Sequence, residues 1–266
     1  MLDRFNRKIN YLRISVTDRC NLRCVYCMPS EEFEHLPHTD ILSYEEIIAF
    51  TKKAVAEGVD KVRITGGEPL VRKDIVDLVR RISEIKGIKD LAMTSNGVLL
   101  TKYAKLLKEA GLMRINISLD TMNPQRYHEI TRLGNIEDVF AGIQAAKDAG
   151  LFPIKINCVI KKSSLEPDAV EVAKFCKEND LQIRYIHEMD LENGRFSKVE
   201  GGEGGNCKSC NRLRLTANGD LKPCLFSDLS FNIRELGIES ALEDSLKNKP
   251  KSGTSNHSNK FNNIGG

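Results

Sequence analysis

No apolar run in the sequence approaches the roughly 20 residues that cross a bilayer, and the segment from Met1 to Asn10 is charged, without the hydrophobic stretch of a secretory signal. A cytoplasmic protein with no membrane partner is the expectation. Low-complexity tracts are also missing, and 41% hydrophobic with 29% charged residues is ordinary globular composition. The net charge of +3 is too small to coat a surface for a polyanion, so no nucleic-acid partner is expected. No Walker-type phosphate loop occurs, which excludes nucleotide binding by that route. What the chain does have is eight cysteines, and in a reducing compartment clustered thiols read as metal ligands before they read as disulfides.

Short β-rich runs alternate with helical patterns. Strands are expected at Tyr11 to Val16, Lys61 to Thr65, Asp90 to Thr94, Arg114 to Ser118, Ile154 to Ile160 and Gln182 to Ile186. Helices are expected at Tyr44 to Glu57, Lys73 to Ile85, Lys102 to Ala110, Ile136 to Ala149 and Pro167 to Asn179. The first helix carries its own start signal: Ser43 and Glu46 form a capping box, and Leu42 and Ile47 a hydrophobic staple. This alternation gives an α/β fold with a parallel sheet and right-handed crossovers. Six units fall short of the eight of a closed barrel, so a partial (β/α)6 barrel is expected over residues 1–189, although a flat doubly wound sheet has the same periodicity. The repeat stops after Met189. Residues 190–266 read as a small C-terminal module: a Gly-rich acidic loop, two strands around a two-residue Asn218-Gly219 turn, and a polar tail from Pro250 expected to be mobile in isolation.

Cys20, Cys24 and Cys27 form a CxxxCxxC pattern directly after the first strand, at the strand end where an active site of such a fold sits. Three thiolates suit iron–sulfur or zinc. No fourth Cys or His lies nearby to close a zinc tetrahedron, whereas a [4Fe–4S] cluster on three thiolates keeps one iron open. At this point the sequence resembles the radical S-adenosylmethionine (SAM) superfamily. The resemblance implies a radical SAM barrel, a cluster on Cys20, Cys24 and Cys27, and SAM on its open iron. Thr65-Gly66-Gly67-Glu68-Pro69 matches the glycine-rich motif of that family. Tyr26, Gly67, Ser118 and Met189 fall at its SAM-binding positions.

Cys207 and Cys210, with Cys224 beyond the turn, make a second converging set. On spacing alone it could be a zinc site completed by His187 or His257. However, Cys210-Asn211-Arg212-Leu213-Arg214-Leu215-Thr216, Lys222-Pro223-Cys224-Leu225-Phe226 and the terminal Ile264-Gly265-Gly266 closely resemble the GTP 3′,8-cyclases of molybdenum cofactor biosynthesis. That resemblance spans Arg13 to Gly266. It implies an auxiliary [4Fe–4S] cluster on Cys207, Cys210 and Cys224 whose open iron meets guanine, and a Gly265-Gly266 tail reaching the active site. Cys158 and Cys176, inside a strand and a helix, read as core residues.

Several strands hold a cation between apolar neighbours: Arg13, Lys61, Arg63, Lys155 and Arg184. Desolvating such a group unpaired costs at least several kcal/mol. They need water, local acids or, if they converge inside the barrel, a bound anion. Arg212 and Arg214, on one face of a later strand, could close that pocket, and arginines gripping phosphate oxygens in pairs would suit a triphosphate. The resemblance independently assigns GTP to Arg13, Arg63, Thr94, Lys155, Arg184, Arg212 and Arg214, with Lys61 beside them. No catalytic side chain is assigned beyond the cluster and SAM site.

The resemblance further implies the reaction. Reductive SAM cleavage gives a 5′-deoxyadenosyl radical that removes hydrogen from C3′ of GTP, C3′ attacks C8 of guanine, and reduction gives 3′,8-cyclo-7,8-dihydro-GTP. It also implies an electron-donor protein, hand-over of product to cyclic pyranopterin monophosphate synthase, and a homodimer as an allowed assembly. One departure stands out: only seventeen residues separate Met189 from Cys207, where relatives have several dozen more. The competing readings are a radical SAM enzyme with an auxiliary cluster acting on another nucleotide or a peptide, and a metal-stabilised binding or sensing protein without radical turnover.

Overall fold

The computed structural model describes residues 1–28, 34–258 and 261–264, apart from the side chain at position 262. Six strands follow one another as parallel neighbours: β1 (Tyr11–Ser15), β2 (Lys61–Thr65), β3 (Asp90–Ser95), β4 (Arg114–Ser118), β5 (Lys155–Ile160) and β6 (Gln182–His187). Between them run α1 (Tyr44–Ala56), α2 (Ile75–Ser83), α3 (Leu100–Glu109), α4 (Pro124–Thr131), α5 (Ile136–Asp148) and α6 (Pro167–Glu178). The capping box is present, with Glu46 N–H donating to Ser43 Oγ and Ser43 N–H to Glu46 Oε2. Helix α4 is an addition to the sequence expectation. Asn123 caps it by accepting from Arg126 N–H, and Pro124 occupies the first turn, where its missing N–H costs nothing.

Period-two alternation decides what each face of the sheet does. Leu12, Ile14, Val62, Ile64, Leu91, Met93, Ile115, Ile117 and Ile156 are buried in the main hydrophobic cluster with the helices. The intervening positions, Tyr11, Arg13, Lys61, Arg63, Arg114 and Lys155, line a cavity on the other face. A curved sheet follows, because side chains from β1 through β6 meet around one hollow. The partial-barrel expectation holds. Cys158 and Cys176 are 0% and 1% exposed, as expected of core residues.

The sheet does not stop at six strands. β7 (Arg212–Leu215) pairs parallel with β1 on its free edge, and β8 (Asp220–Lys222) and β9 (Phe231–Asn232) continue antiparallel, giving the order β6-β5-β4-β3-β2-β1-β7-β8-β9. Helices α7 (Ile233–Leu236), α8 (Ile238–Lys247) and α9 (Phe261–Ile264) complete the C-terminal part. One local expectation needs correction. The β7–β8 connection is longer than the two-residue turn expected: Gly219 N–H donates to Thr216 O, Thr216 N–H to Asp220 O, and Gly219 alone takes positive φ (+93°). That is a type I turn closed by a left-handed glycine, so Asn218 needs no left-handed backbone. The segment from Pro250, docked on the rest of the chain, is held in place over its described residues. Arg7 donates to the carbonyls of Pro250 (2.6 Å) and Lys251 (3.0 Å), and Asn256, 1% exposed, bonds to Leu191 O and Leu225 O. Gly265 and Gly266 lie outside the described residues.

Candidate active site

The first cysteine set sits on the loop leaving β1. Cys27 and Met28 N–H both bond to Cys24 O, and Arg23 and Val25 N–H bond to Thr131 O and Ile130 O at the end of α4, so the loop is anchored on its outer side. On its inner side Asn96 Nδ2 donates to Asn21 Oδ1 (2.8 Å) and approaches Cys20 Sγ (3.8 Å). Asn96 is itself held by Glu68, whose carboxylate accepts from Asn96 N–H (2.7 Å), Ser95 Oγ (2.9 Å) and Leu70 N–H (3.0 Å). Burial outweighs these donors and pushes the Glu68 carboxyl up to about 7. The glycine-rich turn is thereby wired to the cysteine loop. Gly67 has no room for a side chain: a Cβ there would lie 2.3 Å from Arg19 O.

Burial raises the thiol of Cys20 to about 11 and of Cys27 to about 12, and that of Cys24 further, with each of the latter two also pushed up by a neighbouring cysteine sulfur. Three thiols crowded out of water and facing one another are a poor set of free thiols and a good set of iron ligands, since iron supplies the positive charge that their ionised form requires. Tyr26 donates from its hydroxyl to Asp120 Oδ2 (2.8 Å), and burial pushes that carboxyl up to about 6. Tyr26, Gly67, Ser118 and Met189 all lie at carboxyl ends of parallel strands. Met189 lines the main cavity, Tyr26 lines a separate hollow of about 320 Å³ with Asp120 and Val159, and Gly67 and Ser118 line neither.

The main cavity has a volume of about 580 Å³, within the usual range of a small-molecule site. It contains Arg13, Arg63, Lys155, Arg184, Arg212 and Arg214 from the expected nucleotide set, together with Lys61 and Arg114, against only Asp90 and Glu203. Asp90 is engaged by Arg114 (Nε to Oδ1, 2.8 Å). The register makes the arrangement concrete: Arg13 is paired with Arg63 on one side and Arg214 on the other, and Tyr11 with Lys61 and Arg212 one step below. Burial, then Arg214, pulls the Arg13 pKa well below the ordinary guanidinium value, and burial with Arg212 lowers that of Arg214 to about 10. Guanidinium keeps its proton in proteins, so these shifts express desolvation first and repulsion among the neighbouring arginines second. Arg63 Nε, Arg184 Nε and Thr94 Oγ1 are buried without a hydrogen-bond partner among the described residues. Thr94, although it does not line the cavity, is thus a buried hydroxyl left for a ligand or water.

Three contributors escape the sequence reading. Tyr11 lies under two guanidiniums, Arg63 at 5.6 Å and Arg212 at 5.5 Å from its ring centre. Burial alone would raise its phenol, yet Arg63, Arg13, Arg212 and Arg114 hold it below the ordinary value. Asn116, fully buried, accepts from Arg63 Nη1 (2.8 Å) and Arg184 Nη1 (3.2 Å) with its amide turned to suit them. Arg114 completes the group. The signal for Arg114 and Asn116 is present in the sequence, since both stand between apolar residues of β4 as Arg63 does in β2.

The second cysteine set borders the same cavity: Cys207, Cys210 and Cys224 all line it. The short loop from Asp190 to Asn206 folds over the cavity, contributing Phe196, Val199 and its glycines, and is tied back by an antiparallel bridge between Tyr185 and Glu200. Lys249 and the cavity arginines put positive charge around Cys210, lowering its thiol below the ordinary value against the effect of burial. That field suits anionic ligands. A single-ion zinc site gains no geometric support. Among the described residues no three Cys, His, Asp or Glu converge on one ion, and His187 instead faces Glu200 (3.3 Å). A cubane, with its thiolates at separate corners, does not need that convergence.

Comparisons with known proteins identify the family. Residues 14–176 match the radical SAM superfamily profile and residues 177–262 the profile described as Molybdenum Cofactor Synthesis C. The GTP 3′,8-cyclase of Thermodesulfovibrio yellowstonii is 43% identical over 89% of this chain and 88% of its own. That of Pelotomaculum thermopropionicum is 43% identical over 92% and 88%. The first alignment runs over 282 positions although the chain has 266 residues, so dozens of the relative's residues have no counterpart here. Among solved structures, Streptococcus suis SuiB bound to S-adenosylmethionine has a TM-score of 0.66 at 20% identity over 92% of this chain and 67% of its own. Native anSMEcpe with bound AdoMet has 0.65 at 17% over 91% and 81%. These two likenesses bear on the fold.

Proposed function

Because the chain belongs to the GTP 3′,8-cyclase family of radical SAM proteins, we propose that it converts GTP to 3′,8-cyclo-7,8-dihydro-GTP, the first step of molybdenum cofactor biosynthesis. The observation that carries the reading is the row Arg63, Arg13 and Arg214 across β2, β1 and β7, set in one cavity with Cys207, Cys210 and Cys224. A triphosphate complements the positive charge of this row, and a base at the second cysteine set fixes the other end of the nucleotide.

Cys20, Cys24 and Cys27 would hold one [4Fe–4S] cluster, with Tyr26, Gly67, Ser118 and Met189 around SAM. Cys207, Cys210 and Cys224 would hold the other. When bound, the first cluster and SAM supply a carbon radical strong enough to remove a ribose hydrogen. The chain's own contribution is placement. Arg13, Arg63, Lys155, Arg184, Arg212 and Arg214 grip phosphate oxygens, Tyr11 and Asn116 hold the guanidiniums in position, and Thr94 offers its hydroxyl to GTP. Fixing both ends of GTP keeps C3′ against C8, a geometric contribution that can be worth several kcal/mol. The 190–206 loop, short as it is, shields the cavity from water.

The division at residue 189, cytoplasmic location, an electron-donor protein, product hand-over to cyclic pyranopterin monophosphate synthase and assembly as a homodimer belong to the same proposal. In support, all eight cysteines are free and, among the described residues, no helix is long and apolar enough to cross a membrane. The test is an anaerobic reaction of iron–sulfur-reconstituted protein with SAM, GTP and dithionite, followed by mass spectrometry. The expected result is 5′-deoxyadenosine together with a cyclised GTP product. SAM cleavage with GTP unchanged means another substrate, and no cleavage by fully loaded protein means a binding or sensing role.

A further inference from the structure

Lys249 follows α8 and is 1% exposed. An ammonium at that depth is costly by several kcal/mol unless something negative faces it. Its Nζ donates to Arg212 O (2.8 Å) and to Pro223 O. These carbonyls belong to the two segments that carry Cys210 and Cys224, so one side chain ties both segments together. They satisfy the N–H groups but do not cancel the charge. Other buried cations nearby have acids: Arg7 pairs with Asp3 at 2.6 Å, and Lys222 lies in the field of Asp220 and Asp228. Around Lys249 the anionic candidates are the sulfurs of Cys210 and Cys224. Arg7 anchors the third segment through Cys207 O (2.8 Å), but Asp3 neutralises it. Lys249 thus directs its charge at the cysteine set from the side of the two cysteine-bearing segments, while Arg212 and Arg214 act on it from the cavity.

We infer that Lys249 is the fixed counter-charge of the auxiliary cluster, favouring the more negative, reduced state of iron–sulfur held on Cys207, Cys210 and Cys224 and raising its reduction potential. The inference rests on reading those cysteines as ligands. Lys249 is a positioning and tuning residue and touches no reacting atom.

The test uses full-length protein carrying Cys20→Ala, Cys24→Ala and Cys27→Ala, which leaves only the second set to bind iron. Its iron content and the redox titration of its electron paramagnetic resonance signal are compared with those of the same protein carrying Lys249→Arg, Lys249→Gln or Lys249→Met. The expected outcome is four irons in each, an unchanged midpoint in Lys249→Arg, and a more negative midpoint in Lys249→Gln and Lys249→Met. The ratio of reduced to oxidised cluster at fixed potential should fall about tenfold, which for one electron is about 59 mV. A Gln variant with the parent midpoint would make the residue a hydrogen-bonding brace and overturn the inference. Iron lost from Gln and Met but kept by Arg supports the counter-charge, whereas iron lost from all three variants reduces Lys249 to a packing element. If the background protein itself binds no iron, the ligand assignment fails, and the inference with it.

Discussion

Arg13 and Arg214 are partners in parallel register on β1 and β7, two like charges held side by side at the cavity floor. Burial and then the neighbouring Arg214 lower the Arg13 pKa, and a polyanion between the two would favour both charges. Replacing a buried charge by an apolar residue of similar size is commonly neutral or stabilising. Arg214→Met should therefore raise the melting temperature of the ligand-free protein or leave it unchanged. The same change should weaken GTP binding about thirtyfold, the equivalent of one charged hydrogen bond of about 2 kcal/mol. Differential scanning calorimetry with and without GTP reads both halves. An unstable ligand-free variant that still binds GTP normally would contradict the role given to this pair.

Tyr11 supports Arg63 and Arg212 with its ring. Each cation–π contact is worth about 1 kcal/mol when partly desolvated. Tyr11→Leu should raise the KM for GTP about tenfold with a smaller change in kcat, while Tyr11→Phe, which keeps the ring, should stay within about twofold of the parent. Equal effects of the two changes would mean that the hydroxyl matters and the ring does not.

The strand pattern makes much of this legible. Leu12-Arg13-Ile14 and Lys61-Val62-Arg63-Ile64 announce a face that is apolar toward the helices and cationic away from them, and both cysteine sets declare themselves by spacing. What remains hidden depends on distant pairing. No local signal says that Arg212 lies beside Tyr11, because the hairpin signal at Asn218-Gly219 describes only its own turn. The order of the segment after Pro250 is likewise invisible in its polar composition, since it comes from the Arg7 guanidinium far back in the chain. Tyr11 itself reads as one more strand aromatic until the two guanidiniums are seen above it.

Gly67→Ala tests the link between the glycine-rich turn and the cysteine loop. The added methyl would sit 2.3 Å from Arg19 O and 2.8 Å from Asp18 O, both backbone atoms of the loop that leads into Cys20. Such overpacking costs about 1–3 kcal/mol and is relieved only by moving that loop. Iron analysis should find the first cluster depleted and the second retained, with 5′-deoxyadenosine formation lost. Full iron content and normal SAM cleavage would show that the turn tolerates a side chain.

Acid should loosen the C-terminal helices from α1. Arg234 grips both oxygens of Glu46 at 2.6 and 2.9 Å and holds its carboxyl down at about 2, against an ordinary 4.5. Because the folded value is the lower one, the stabilisation is complete above about pH 4.5 and disappears as the pH falls toward 2. Both side chains are about one-third exposed, so solvent screening limits the contribution to about 1 kcal/mol. Urea unfolding of the parent and of Arg234→Ala should differ by that amount at pH 6 and converge near pH 2. A constant gap across that range would assign the effect to the Arg234 contacts with Thr39, Asp40 and Ile41 carbonyls instead.

The pairing of β7 with β1 also sets an order of events during synthesis. Asn10 and Asn211 are hydrogen-bonded across 201 positions of chain, so at ribosomal speeds of 5–20 residues per second the first strand emerges about 10–40 s before its partner. Through that interval the free edge of β1 presents unpaired N–H and C=O groups, the kind of edge that recruits other chains. Two of the cavity's cations, Arg212 and Arg214, and all of the second cysteine set arrive last. A nascent chain can therefore acquire its first cluster before a nucleotide pocket exists, and a message truncated ahead of Arg212 yields a half-sheet prone to aggregate rather than a partly active protein.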